Sequence, residues 1–310
     1  MIEKNPVITL EDEARGIEAA PGSSAFLDWL WETSLMDEAG NRYWFGGSAL
    51  VLKLENIDIC TWEICTEAGR VFQDPGSIYK IAEFNGIDRI RKDTFPGGTH
   101  KVTKSEDCVT VEIGCIKVIC HEDHSWNILV HDEEKGFHAD LVHKPECHGP
   151  LWYGREKPSH LTQHSVTYGY NCCGRVEGTL IIDGKEIHVK GAGIRERYVA
   201  VDSSAAEIGG WEDWGWFHFD EVFGSMYDMR LGSKDQVVTL IDKNKYLPDG
   251  KLDIEHHEWA YMPKYGGFIP TVYKIRIETE EGVLDIVAHA ANARTWGMTG
   301  ICPEHPVATI

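Results

Sequence analysis

From Phe26 onward the chain breaks into short β-like runs set between clusters of Gly, Asp, Asn and Pro. Such clusters favour turns, because glycine and asparagine accept positive φ and proline presets the turn backbone. Trp29–Leu35 and Tyr43–Lys53 flank Asp37-Glu38-Ala39-Gly40-Asn41, which predicts a hairpin. Val109–Val118 and Ser125–His131 continue the series, and Glu133-Glu134-Lys135-Gly136 turns the chain into Phe137–His143. The clearest hairpin joins Val176–Ile182 to Glu186–Lys190 through Asp183-Gly184, a pair suited to a type I′ turn. Further runs are Gly215–Val222, Ser225–Leu231, Gln236–Asp242, Thr271–Glu278 and Val283–His289. Long amphipathic helices are absent; the pattern leaves Gly76–Ile90 as the best place for a short helix, and residues 1–25, with Pro6, Pro21 and Gly22, as an extended arm. Many antiparallel strands with short turns predict an all-β fold, either sandwich or barrel. The aromatic, proline-rich stretch Pro145–Pro158 suggests two β domains, 26–165 and 166–310.

Thirty basic residues face fifty acidic ones, a net charge of -20. That surface repels phosphate backbones and anionic membranes, so nucleic acid is a poor partner. No apolar run approaches the ~20 residues of a membrane helix. Met1-Ile2-Glu3-Lys4-Asn5-Pro6 has no apolar leader core. Nine cysteines, an odd number, then predict free thiols in a reducing cytoplasm. Homo-oligomerisation is left open.

Two segments carry the candidate chemistry. Glu196 stands between Arg195 and Arg197. Neighbouring arginines favour its ionised form, whereas burial against tryptophans would keep it protonated and able to donate to an alkene or enol. On the strand Trp214–Asp220, period two puts Trp214, Trp216, His218 and Asp220 on one face. Two indoles beside an imidazole and a carboxylate suit an aromatic ligand pocket, with His218 as acid or base and Asp220 orienting it. His138 shares a strand face with Asp140, and Tyr168, Tyr170, Trp152 and Tyr153 flank the central linker. His121, His124, His131, His138, His143 and His148 crowd one region, and His256-His257 sit beside Glu255 and Glu258, but none has a specific metal-ligand spacing. There is no phosphate loop, dinucleotide fingerprint or nucleophile elbow, and no cofactor is predicted.

In order along the chain stand Gly191-Ala192-Gly193-Ile194-Arg195-Glu196-Arg197-Tyr198, Trp214-Gly215-Trp216-Phe217, and Glu221-Val222-Phe223-Gly224-Ser225-Met226-Tyr227-Asp228-Met229-Arg230-Leu231. This order resembles the hydroxyneurosporene synthase (carotenoid hydratase) family of lipocalin-like proteins. Trp31–Leu35 and Tyr43–Ser48 resemble that family's opening hairpin, and Phe137–Leu141 before Pro145 its strand ahead of the linker. The resemblance implies two packed lipocalin-like β-barrel halves. Where the family has Asp-His, this chain has Glu196-Arg197, and Tyr198 stands where a tryptophan is expected. A carboxylate is kept and a histidine lost, so carotenoid hydration itself does not carry over. The expectation is a cofactor-independent lyase or isomerase (hydratase, dehydratase or cyclase) acting on a hydrophobic unsaturated molecule. Glu196, His218 and Asp220 are its catalytic candidates. Trp214, Trp216, Tyr198, Arg197 and His138 would bind substrate. The competing readings are a lipocalin-like carrier and a metal-dependent hydrolase or lyase built on the histidine-rich segments.

Overall fold

The computed structural model describes residues 8–16, 25–66, 69–73, 75–76, 78–84, 88–146, 151–153, 166–201, 212–229, 234–241, 243, 245–247, 250–263, 266–290, 292–296 and 305–309. Arg230, Leu231, His148 and most of Pro145–Pro158 fall outside these, and the side chains of Trp152 and Tyr153 are likewise not described. The described residues are almost all strand, with one short helix, α1 (Leu10–Ala14). No described helix is long and apolar enough to cross a membrane.

The first strands are β1 (Ala25–Asp37), β2 (Arg42–Leu52) and β3 (Ile57–Thr66), followed by the short hairpin β4 (Gly69–Gln73) and β5 (Lys80–Phe84). Then come β6 (Asp88–Pro96), β7 (Lys101–Lys104), β8 (Cys108–Ile113), β9 (Ile116–His121), β10 (Trp126–Asp132), β11 (Phe137–Pro145) and β12 (Leu151–Tyr153). Two long strands follow, β13 (Val166–Ile182) and β14 (Lys185–Val201). A twelve-stranded antiparallel sheet runs β6-β3-β2-β1-β14-β13-β11-β10-β9-β8-β7, with β12 on the side of β13. It curls around one core in which Trp29, Trp31, Trp62, Trp126, Phe45 and Phe137 are buried. The Trp62 and Phe137 rings stack at 4.2 Å.

The rest of the chain forms β15 (Glu212–His218), β16 (Val222–Met229), β17 (Lys234–Leu240), β18 (Lys245–Leu247), β19 (Gly250–Met262), β20 (Gly267–Thr279), β21 (Gly282–His289), β22 (Asn292–Trp296) and β23 (His305–Thr309). A four-stranded sheet, β15-β16-β17-β18, faces a five-stranded one, β21-β20-β19-β5-β4. Phe217, Met226 and Val238 from the first meet Leu252, Ile275 and Ile277 from the second.

Burial along the strands shows where the layers meet. In β8 to β11 buried and half-buried residues alternate, as they do when one face is wet. In β2, β3, the last half of β14 and the first part of β1, up to Thr33, nearly every residue is buried. One face of these strands lines the barrel core. The other is covered by a second layer, with Tyr198 and Ala200 packed against Val237 and Tyr246 and Ile194 against Phe223.

Several expectations are corrected. The described residues of Gly76–Ile90 are not helical: they include β5 and the start of β6, and β5 is held by pairing with β4 and, in parallel, with β19. Val109–Val118 is broken at Gly114-Cys115, where Gly114 takes φ 54°. The arm contains α1, whose N-cap Thr9 forms a capping box with Asp12. β13 and β14, beyond the expected boundary at 165, belong to the first sheet. Asp183 and Gly184 have φ 53° and 77°, as a type I′ turn requires.

Gly191 explains the small residues that begin the Gly-Ala-Gly run. A Cβ there would collide with the Ser34 carbonyl oxygen of β1. Gly191→Ala is expected to cost about 1–3 kcal/mol, the range for forced overpacking. Gly267→Ala, with open space at its Cβ, is the matched control. Thermal melts of the two variants check this: equal midpoints would mean that β1 and β14 separate without cost.

Candidate functional site

Alternation on β14 separates the residues of the Arg195-Glu196-Arg197-Tyr198 run. Arg195 and Arg197 point into the barrel and are 0% and 2% exposed. Glu196 lies on the opposite face with Ile194 and Tyr198, toward β15 and β16. The glutamate is only half-buried although Ile194 and Tyr198 beside it are buried.

The arginines are engaged by α1. Arg195 donates to Glu13 Oε1 at 2.9 Å, to Tyr170 Oη at 2.8 Å and to the His124 carbonyl at 2.8 Å. Trp126 Nε1 and Tyr170 Oη also donate to Glu13 Oε1, at 3.1 and 2.5 Å. Arg197 donates to the carbonyls of Glu13, Asp28 and Tyr198 at 3.1, 3.1 and 3.2 Å, and to that of Arg15. It stacks on Trp29 at 4.0 Å. Burial pulls its pKa down to about 10, so it stays charged at neutral pH. Arg197 is therefore committed to holding α1 in the barrel end, and the expectation that it meets substrate alongside Glu196 is corrected.

The seam between the two layers has a distinctive chemistry. Glu196 is opposite Leu30 on β1 and Asn171 on β13. One pleat along, Asp28 is opposite Tyr198, so the two carboxylates are diagonal neighbours on one face. Asp28 is 2% exposed, its Oδ1 has no hydrogen-bond partner, and burial pushes its pKa up to about 7 against the pull of Arg197. Around them, Phe26 stacks on Tyr198 at 5.0 Å. Trp214 and Trp216 reach the seam from β15. Buried polar atoms without partners face the same seam on both walls: Asn171 Oδ1 and Nδ2, Ser48 Oγ, Trp214 Nε1, Ser225 Oγ and Thr239 Oγ1. Such atoms normally cost about 1–3 kcal/mol each when left unpaired.

His218 shares the seam face of β15 with the two tryptophans, as period two predicts, and its ring lies parallel to Phe223 at 6.0 Å. Its partner, however, is Glu146, whose Oε2 is 2.7 Å from His218 Nε2. Glu146 Oε1 accepts from Arg175 at 3.0 Å. Asp220 is exposed in the bend after β15 and does not orient the imidazole. The sequence offered no signal for Glu146, which lies 72 residues away. His138 is on the outer face of β11, stacked on His131 and 3.3 Å from Glu133, well away from the seam.

The histidines of the crowded segments have separate partners. His121 bonds Asn127, His143 bonds the Gly193 carbonyl, His256 bonds Asp213 and His257 bonds Glu255. Among the described residues no three His, Cys, Asp or Glu side chains stand together as a metal site. A separate cavity of about 260 Å³ opens at the end of the first barrel, bordered by Leu27, Val51, Asp58 and His100. There Asp58 Oδ2 accepts from the His100 backbone N–H at 2.8 Å and sits 3.0 Å from its Nδ1.

These features define a two-part, all-β protein of lipocalin-like architecture with a polar-aromatic seam between its layers. Solved structures with the same fold include an AttH-type protein of Nitrosomonas europaea, with TM-score 0.58 and 12% identity over 81% of this chain and 76% of that one. Kievitone hydratase from Nectria haematococca aligns with TM-score 0.56 and 13% identity over 93% of this chain and 81% of that one. No family model and no curated protein matches the sequence. At these identities the likeness establishes the fold.

Proposed function

We propose that the chain is a cofactor-independent acid–base enzyme, a hydratase, dehydratase, isomerase or cyclase, acting on an unsaturated small molecule in the seam. The observation that carries this reading is the pair Asp28 and Glu196, two carboxyl groups on one face amid aromatic rings, one of them titrating near neutral pH. Glu196, the more accessible of the two, gives a proton to the alkene or enol carbon. Trp214 and Trp216 stabilise the resulting cation by about 1–2 kcal/mol through their ring faces. Water then adds, and its proton returns to a carboxylate or to His218, which Glu146 orients. In isomerisation or cyclisation, loss of a proton to the same groups ends the reaction. A hydratase among the proteins of this fold supports the lyase form. Unpartnered polar atoms on both walls favour a substrate that carries oxygen functions beside its double bond.

The test is Glu196→Gln, which keeps the shape and removes the proton. Prenylated phenols and isoprenoid alkenes would be incubated in D2O with each protein, with deuterium uptake and mass gain of water as readouts. The variant should lose about 10²–10⁴-fold in rate while melting like the parent. Full activity in the variant removes Glu196 from the mechanism. Ligand bound tightly but recovered unlabelled from the parent protein points to a carrier instead.

A further inference from the structure

Cys60 and Cys115 are 55 residues apart in sequence, yet their Sγ atoms are 3.6 Å apart. Cys60 is fully buried on the core face of β3, whereas Cys115 is partly exposed on the tight turn between β8 and β9. The remaining described cysteines are held differently: Cys120 and Cys172 are buried with thiols pushed up by burial, Cys173 is buried with its thiol toward the Gly224 carbonyl, Cys65 is buried, and Cys108 lies against Ser105. We propose that Cys60 and Cys115 form a hydroperoxide-sensitive pair, with Cys115 as the attacking thiolate and Cys60 as the resolving thiol.

Three features assign the roles. Of the two, Cys115 is the one that is partly exposed. The Cys60 thiol can donate to the Cys115 sulfur, which holds the Cys115 pKa below its ordinary value and raises that of Cys60. Burial and the Asp132 carboxylate push the Cys115 thiol the other way, and the Arg91 guanidinium, itself shared by Asp93 and Asp132, adds a smaller downward pull. A low-pKa accessible thiol beside a second thiol is the arrangement of redox-sensing cysteines.

The chemistry balances. The Cys115 thiolate attacks one oxygen of the O–O bond; a sulfenic acid forms, and the departing alkoxide or hydroxide takes up the proton that the thiol released. The Cys60 sulfur then attacks the sulfenic sulfur, the S–S bond forms, and the hydroxyl leaves with the Cys60 proton as water. Two thiols are oxidised by two electrons in total and the peroxide is reduced. The bond ties β3 to the β8–β9 turn across the barrel.

The test treats the full-length protein with limiting hydrogen peroxide. Peptide mapping without reductant is expected to recover a Cys60–Cys115 link, with loss of two hydrogens, before any other cysteine is modified. Cys60→Ser should leave a dimedone-reactive sulfenic acid at Cys115, and Cys115→Ser should abolish both products. The linked protein should melt about 5 °C or more above the reduced one, reversibly with dithiothreitol, because a long loop is closed. Recovery of both thiols unmodified while another cysteine is oxidised overturns the proposal. So does a link between other positions. The mapping uses the unaltered protein, so it stands even if a serine variant fails to fold.

Discussion

Glu13→Ala is expected to destabilise the protein by about 3–5 kcal/mol, the cost of leaving a buried charge without its partner. Glu13 is 2% exposed, and one of its oxygens receives Arg195, Tyr170 and Trp126 together. Removing the carboxylate leaves the Arg195 guanidinium, itself 0% exposed, in an apolar barrel end. The backbone of α1 adds to the coupling, since Trp29 Nε1 and Arg197 both donate to the Glu13 carbonyl. Glu11 is the internal control. It is on the same helix but pairs with Lys104 at the surface, and exposed pairs contribute only about 0–1 kcal/mol. Urea unfolding followed by tryptophan fluorescence compares Glu13→Ala with Glu11→Ala. Equal midpoints would mean that α1 does not plug the barrel in solution.

Two buried groups should tilt the pH dependence of stability in opposite directions. Burial raises Asp28 from 3.8 to about 7. Between these values the folded state holds a proton that the unfolded state has lost, so stability falls as pH rises. Burial, with help from Arg195, lowers His143 from 6.5 to about 3. There the unfolded state holds the extra proton, so stability rises with pH. Each slope is about 1.4 kcal/mol per pH unit, and from about pH 4 to 6.5 the two offset each other. Relative to the parent, Asp28→Asn should therefore gain stability steadily as pH increases through this window, reaching ~4 kcal/mol above pH 7. His143→Gln should lose stability over the same window. Urea midpoints measured at half-unit pH steps decide the matter. Parallel curves for parent and Asp28→Asn would show that Asp28 is not buried in its neutral form, and would remove the best support for proton chemistry in the seam.

The sequence shows its own limits at particular residues. Two arginines at alternate positions of an apolar strand, Arg195 and Arg197, signal a buried acceptor, but nothing local names Glu13, 182 residues away. Glu13 sits in a polar stretch that resembles any solvated arm. Asp28 is masked by the aromatic run around it, since an acid between Leu27 and Trp29 looks the same whether its face is wet or covered. His218 was legible as part of an aromatic face, whereas Glu146 as its partner was not. In each case the missing information is which distant segment lies opposite.

The succession of strands, the Asp183-Gly184 hairpin, the division of Trp214, Trp216 and His218 from Phe217, and the all-β class follow from local rules of pleat and turn. Those rules act over a few residues, so the chain carries them wherever it goes. That β14 presents arginines to one layer and Glu196 to another, that β5 joins the sheet of the second half, and that α1 fills the barrel end were decided only by tertiary packing. Period two specifies that neighbouring side chains part company. Only the assembled layers, and the cost of burying charge without a partner, specify what each face meets.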